Sequence, residues 1–287
     1  MSEKKSSGEQ EPSQEAVAAY LENAEKELFT NELEILADPR FEHGFDGKEP
    51  QWKGLKDRVV MQGIVALKLA KLLKLPKEDT KILASAALLN MSMRCVQYKR
   101  PETKDSTKIT TTQREALDDE GSAVLREKGV DKAVIKVAEA SNTRFSRKAG
   151  GGWINPKGTE GKKIYRLQKI LLYVHDTVNP IPVGETTTES GQKITIWGIE
   201  FGDWRERLTD SAVKSYQTIN AESFPVKGKK ERQGYFALEM KVVAEAENDI
   251  RKALKKNKVQ LGKAPLWQFL EGEVHADIRG GRLPEIS

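Results

Sequence analysis

Two apolar helical stripes separated by one proline constrain this chain more than any other feature. Leu55, Val59, Gln62, Ala66, Leu69 and Leu73 recur at steps of three and four residues before Pro76, with Met61 and Val65 beside them. From Lys77 to about Cys95, a second stripe of Ile82, Leu83, Ala86, Leu89, Asn90 and Met93 follows. Such spacing puts each set on one face of an α-helix. Each stripe also carries one amide, Gln62 or Asn90. A buried amide needs hydrogen-bond partners, so the pattern predicts that the helices pack with Gln62 and Asn90 facing each other.

The remaining chain extends the helical theme. Val17, Leu21, Ala24, Leu28 and Ile35 predict one amphipathic helix that stops before Asp38-Pro39, and the stretch from Phe41 to Gly54 reads as a loop. Thr112 with Glu115 predicts a capping box for a helix closed by Gly129, and Asp131 caps another that runs to about Asn142. Ser146 to Gly161, with Ala149-Gly150-Gly151-Gly152, reads as a flexible loop without the spacing of a nucleotide-binding fingerprint. Lys162 to Val178 is apolar almost all round and is expected to be the most buried helix. A Ser190-Gly191 turn between Thr-rich and Ile-rich runs predicts a hairpin over Thr186 to Ile199. Trp204, Leu208, Ala212, Ser215 and Ile219, then Phe236 to Leu254, mark two further helices expected to pack antiparallel.

The expected fold class is therefore all-α with a small β-hairpin. Its expected divisions are a disordered acidic tail over 1–14, an accessory helix and loop over 15–49, a main helical domain over 50–258 with the hairpin inserted near 183–199, and a C-terminal tail over 259–287. Gly262, Pro265, Gly280 and Pro284 make that last part read as extended, anchored by Leu266, Trp267, Phe269 and Leu270.

The first 50 residues hold 13 acidic and 5 basic side chains against a whole-chain charge of +5, so the remainder carries +13. A basic body attracts phosphate-bearing partners. A single cysteine, Cys95, fits a reducing compartment, and no run approaches the ~18 apolar residues of a membrane span. The expected location is cytoplasmic, with no membrane partner.

Ala86-Ala87-Leu88-Leu89-Asn90-Met91-Ser92-Met93-Arg94, on the second stripe, resembles the AALLHDIGK-like run of the HD superfamily of phosphohydrolases. Leu171-Leu172-Tyr173-Val174-His175-Asp176 is similar to that family's closing helix. The resemblance implies an HD-domain-like bundle over residues ~50 to 255. It also implies that the family's His-Asp pair falls on Asn90 and Met91, its upstream His on Met61 or Gln62, and its last Asp on Asp176. Where the family holds manganese, iron, magnesium or nickel, only Asp176 keeps a ligand. Neutral amide and thioether groups do not replace the missing charge.

The expectation is a pseudoenzyme without cofactor. Asp176 would then pair with a cation, with Arg94 favoured over Lys169 or another arginine, while Arg94, Arg58 and Lys99 are candidates for holding phosphate. His43, His175 and His275 read as ordinary surface histidines. The partner would be a phosphorylated small molecule or a protein. Two alternatives stand beside it: a residual metal-dependent phosphohydrolase with nonstandard ligands, and a basic RNA- or polyanion-binding module. The latter rests on Lys227, Lys229, Lys230 and Arg232 and on Arg251, Lys252, Lys255, Lys256 and Lys258, although lysines also gather at helix C-termini to complement the dipole.

Overall fold

The computed structural model describes residues 11–41, 50–92, 110–187, 191, 193–214 and 222–285. Arg94, Lys99, Cys95, His43 and most of the expected acidic tail lie outside the described residues. The architecture is mostly helical with small antiparallel strand pairs. Among the described residues, no helix is long and apolar enough to cross a membrane.

Helix α1 (Gln14–Leu28) starts at Ser13, whose side chain accepts from the Ala16 amide at 3.2 Å. It does not continue through Ile35 as its spacing predicts: the chain breaks at Phe29 and restarts as α2 (Thr30–Leu36). The Thr30 hydroxyl takes the Lys26 carbonyl at 2.9 Å, and the Phe29 ring leaves the helix for the core. It lies against Gly63, where a Cβ would come within 2.8 Å of the ring. Gly63 belongs to α3 (Pro50–Leu73), which carries the first stripe, and α4 (Lys77–Leu89) carries the second.

Thr110 caps α5 (Thr111–Glu127) in a capping box with Gln113, two residues earlier than Thr112 and Glu115 predict. Glu115 is occupied elsewhere, paired with Arg147. Asp131 caps α6 (Lys132–Ala138) as expected, and a 3-10 turn follows over Glu139–Ser141. The glycine-rich stretch is not a loop from Ser146 onward, because α7 (Thr143–Gly150) runs into it. Gly150 serves close packing: a Cβ there would meet the backbone of Leu238. Gly152, at φ +74, ends the element.

Helix α8 (Gly158–Thr177) is central, and Leu171, Leu172, Tyr173 and Val174 are fully buried. It passes directly into β1 (Val178–Thr187), which pairs antiparallel with β2 (Lys193–Phe201), so the hairpin begins earlier than the turn residues predict. The hairpin packs along α3. Next come α9 (Trp204–Lys214), a short pair β3 (Ser223–Pro225) and β4 (Arg232–Gly234), and α10 (Tyr235–Lys256).

The C-terminal segment is helix α11 (Leu266–Gly280), not an extended tail. Leu266, Leu270, Val274 and Ile278 recur every four residues and are buried where α11 packs on α1 and α3. The glycines and prolines that argued against a helix flank it, and Gly281 closes it at φ +60. Trp267 and Phe269 are only partly buried and are not its anchors.

Candidate functional site

The last turn of α8 gathers most of the singled-out positions into one packed cluster. Arg58 and Gln62, one turn apart on α3, face Asn90 at the end of α4 and His175-Asp176 on α8. Arg58, Gln62, Asn90, Met91 and Asp176 are each at most 2 % exposed.

Asn90 joins the helices. Its Nδ2 donates to Gln62 Oε1 at 2.9 Å, the contact that the two stripes predict, and its Oδ1 lies 3.0 Å from His175 Nδ1. An amide oxygen only accepts, so His175 carries its proton on Nδ1 in this arrangement. The Asn90 carbonyl in turn accepts from the Ser141 hydroxyl at 2.8 Å. His175 is therefore a core residue at 4 % exposure, not a surface histidine. One helical position turns a side chain by ~100°; accordingly, His175 reaches Asn90 while Asp176 reaches elsewhere.

Two guanidinium groups close the cluster. Arg58 Nε donates to the Val178 carbonyl and its Nη2 to the His175 carbonyl, both at 2.8 Å, while Nη1 sits 3.5 Å from Met91 Sδ. Arg207 of α9 donates to the same His175 carbonyl at 3.0 Å and pairs with Asp176 Oδ1. Helix C-termini leave carbonyls without intrahelical partners and concentrate negative potential, so cations placed there satisfy both.

Arg58 is thus a buried clamp on the end of α8, and its engaged guanidinium does not serve as the phosphate ligand expected of it. The expected Arg94 pairing falls outside the described residues, and the described partner of Asp176 is Arg207. Lys169, the other named candidate, pairs with Glu245 at 2.8 Å and with Asp249. Of the two registers for the upstream position, Gln62 enters the polar cluster and Met61 packs in the apolar core.

The donor set does not suit a divalent cation. Two amides, a thioether, an imidazole whose Nδ1 is engaged by Asn90 and one carboxylate already paired with arginine surround a centre that contains two fixed positive charges. Among the described residues, no group of three or more His, Cys, Asp or Glu side chains is placed to hold a metal ion.

Sequence reasoning missed Arg207, which no spacing marks because it acts from an element brought in by tertiary packing. Ser141 shares its inward spacing with Val134, Val137 and Ala138, but that spacing does not name the Asn90 carbonyl as its partner. His175 carried a usable signal: it lies within the most apolar run of the chain, where a polar residue is buried and must be partnered.

A second buried carboxylate lies between α5 and α7. The Thr143 amide donates to Asp118 Oδ2 at 3.2 Å. Burial pushes the Asp118 carboxyl up to about 7, against the opposing charge of Arg114 and the Thr143 hydrogen bond.

The chain was compared with protein-family models, with curated proteins and with solved structures, and none of the three matches it.

Proposed function

We propose that this protein is an HD-domain-like helical module that has lost metal-dependent phosphohydrolysis and works by binding or scaffolding, in the cytoplasm that a chain with one cysteine suits. The observation that carries the reading is the hydrogen bond between Gln62 and Asn90, two positions to which the resemblance assigns metal ligands, extended to His175 and closed by Arg58 and Arg207. The amides bond to each other instead of presenting lone pairs to an ion. The arginines supply positive charge where a metal would otherwise supply it. What remains is a rigid centre that fixes α3, α4, α8 and α9 against one another, and surface chemistry is left to do the work.

Elemental analysis tests this directly. The purified chain is incubated with manganese, iron, nickel and magnesium, freed of excess ion and assayed by mass spectrometry. The expected result is no metal retained in stoichiometric amount. Near-stoichiometric metal that disappears in Asp176→Asn would overturn the proposal and favour the residual phosphohydrolase.

A further inference from the structure

Some basic side chains of the described surface are matched. Lys26 pairs with Glu22, Lys56 with Glu25, Lys68 with Asp277, Lys128 with Asp38 and Arg251 with Glu247. Among the unmatched cations of the described residues, four converge on one cavity. A cleft of about 430 Å³ between the first half of α8 and the last turns of α10 is lined by Lys162, Arg166, Lys252 and Lys256. Among the described residues, none of these four forms an ion pair.

The two helices face each other across the cleft, and each contributes two cations one turn apart, with Cβ atoms ~5–6 Å from each other. Lys169 and Asp249 line the cleft too, but they pair with each other, Glu245 also meets Lys169, and the Lys169 ammonium rests 5.1 Å from the centre of the Tyr165 ring. The dipole accounts for Lys252 and Lys256, at the C-terminal end of α10. It does not bear on Lys162 and Arg166, which lie in the second and third turns of α8, beyond the first turn over which the dipole acts. Four exposed like charges around one cavity repel each other, a cost with no structural return unless an anion comes between them.

We infer that this cleft binds a small ligand carrying two or more adjacent phosphate groups. Arg166 offers a planar fork suited to one phosphate, and the three lysines act as point charges on its neighbours. The volume lies within the range of small-molecule sites. The cations converge from two helices on one cavity instead of running along one face, which favours a compact oligophosphate over a nucleic-acid strand. This inference stands independently of the reading of the buried cluster.

Calorimetric titration of the full chain with inorganic tripolyphosphate tests it, alongside inorganic phosphate and a 12-nucleotide single-stranded RNA. The expected result is one tripolyphosphate per chain, weakened at least about tenfold by Lys252→Gln/Lys256→Gln and by Lys162→Gln/Arg166→Gln. The control Lys255→Gln/Lys258→Gln removes as much charge from exposed positions outside the cleft and should leave binding within about twofold. No tripolyphosphate binding, equal affinity for inorganic phosphate, or equal loss in the control pair would overturn the inference. RNA binding tighter than tripolyphosphate and sensitive to the control pair would overturn it too, making this face a nucleic-acid track. All six positions are exposed, so the variants are expected to fold as the parent does.

Discussion

Asp176 and Asp118 are both buried aspartates, yet their surroundings treat them in opposite ways. Asp176 sits at the end of α8 with Arg207 on its carboxylate and the Arg58 guanidinium on a neighbouring carbonyl. Asp118 receives one backbone amide, and desolvation prevails over the cations at a distance, pushing its carboxyl up to about 7. Burial alone therefore does not decide whether a carboxylate is an anchor or a liability. The partner that reaches it decides.

The largest way to break this contrast is Arg58→Met. It keeps much of the bulk of the side chain but takes the guanidinium donor from the Val178 carbonyl and leaves the His175 carbonyl with Arg207 alone. Urea unfolding should show a loss of about 3–5 kcal/mol, and a loss below about 1 kcal/mol would mean that the clamp does little.

A smaller effect of opposite sign is expected from Asp118→Asn. Because the folded-state value lies above the ordinary 3.8, the unfolded chain releases this proton first as pH rises. Stability therefore falls between about pH 4 and pH 7 and then levels off. The rise from 3.8 to about 7 sets a ceiling of about 4 kcal/mol, and partial relaxation brings the expected gain of Asp118→Asn at pH 8 to about 2 kcal/mol, with little change at pH 4. Melting curves at the two pH values check it, and equal effects at both would remove the contrast between the aspartates.

The smallest effect is expected from the amide pair. Asn90→Leu should cost about 1–2 kcal/mol because Gln62 and His175 lose a partner, and Gln62→Leu/Asn90→Leu should cost less than the sum of the two single changes. Additive losses in such a cycle would show that the two amides do not act as a unit.

What was legible in the sequence follows the range of the forces involved. The stripes of α3 and α4 and the near-continuous apolar run of α8 report burial over one or two turns, and there periodicity located the elements. The same logic paired Gln62 with Asn90, because two amides on facing apolar stripes leave few other solutions. Elements governed by a single local event were harder to place. The break at Phe29 comes with a ring seated against Gly63 from another helix, and at the start of α5 Gln113 completes the capping box with Thr110 while Glu115 pairs with Arg147. Helix α11 was hidden by the glycines and prolines at its ends, although its four-residue apolar spacing was present throughout. In the candidate site, Gln62, Asn90 and Asp176 could be named from pattern and resemblance. Arg207 could not, since nothing local indicates that an arginine 31 residues beyond Asp176 returns to it.

The seat of α11 has a consequence for how the protein is made. Tyr20 donates its hydroxyl to the Arg282 carbonyl at 3.3 Å, across 262 positions of sequence, and Lys68 of α3 meets Asp277 at 2.5 Å. Translation runs at ~5–20 residues per second, so about 10 to 40 s separate the synthesis of α3 from that of α11. Throughout that interval the flank of α3 around Lys68 faces solvent or a chaperone, and this part of the chain reaches its native packing only after α11 has cleared the ribosome.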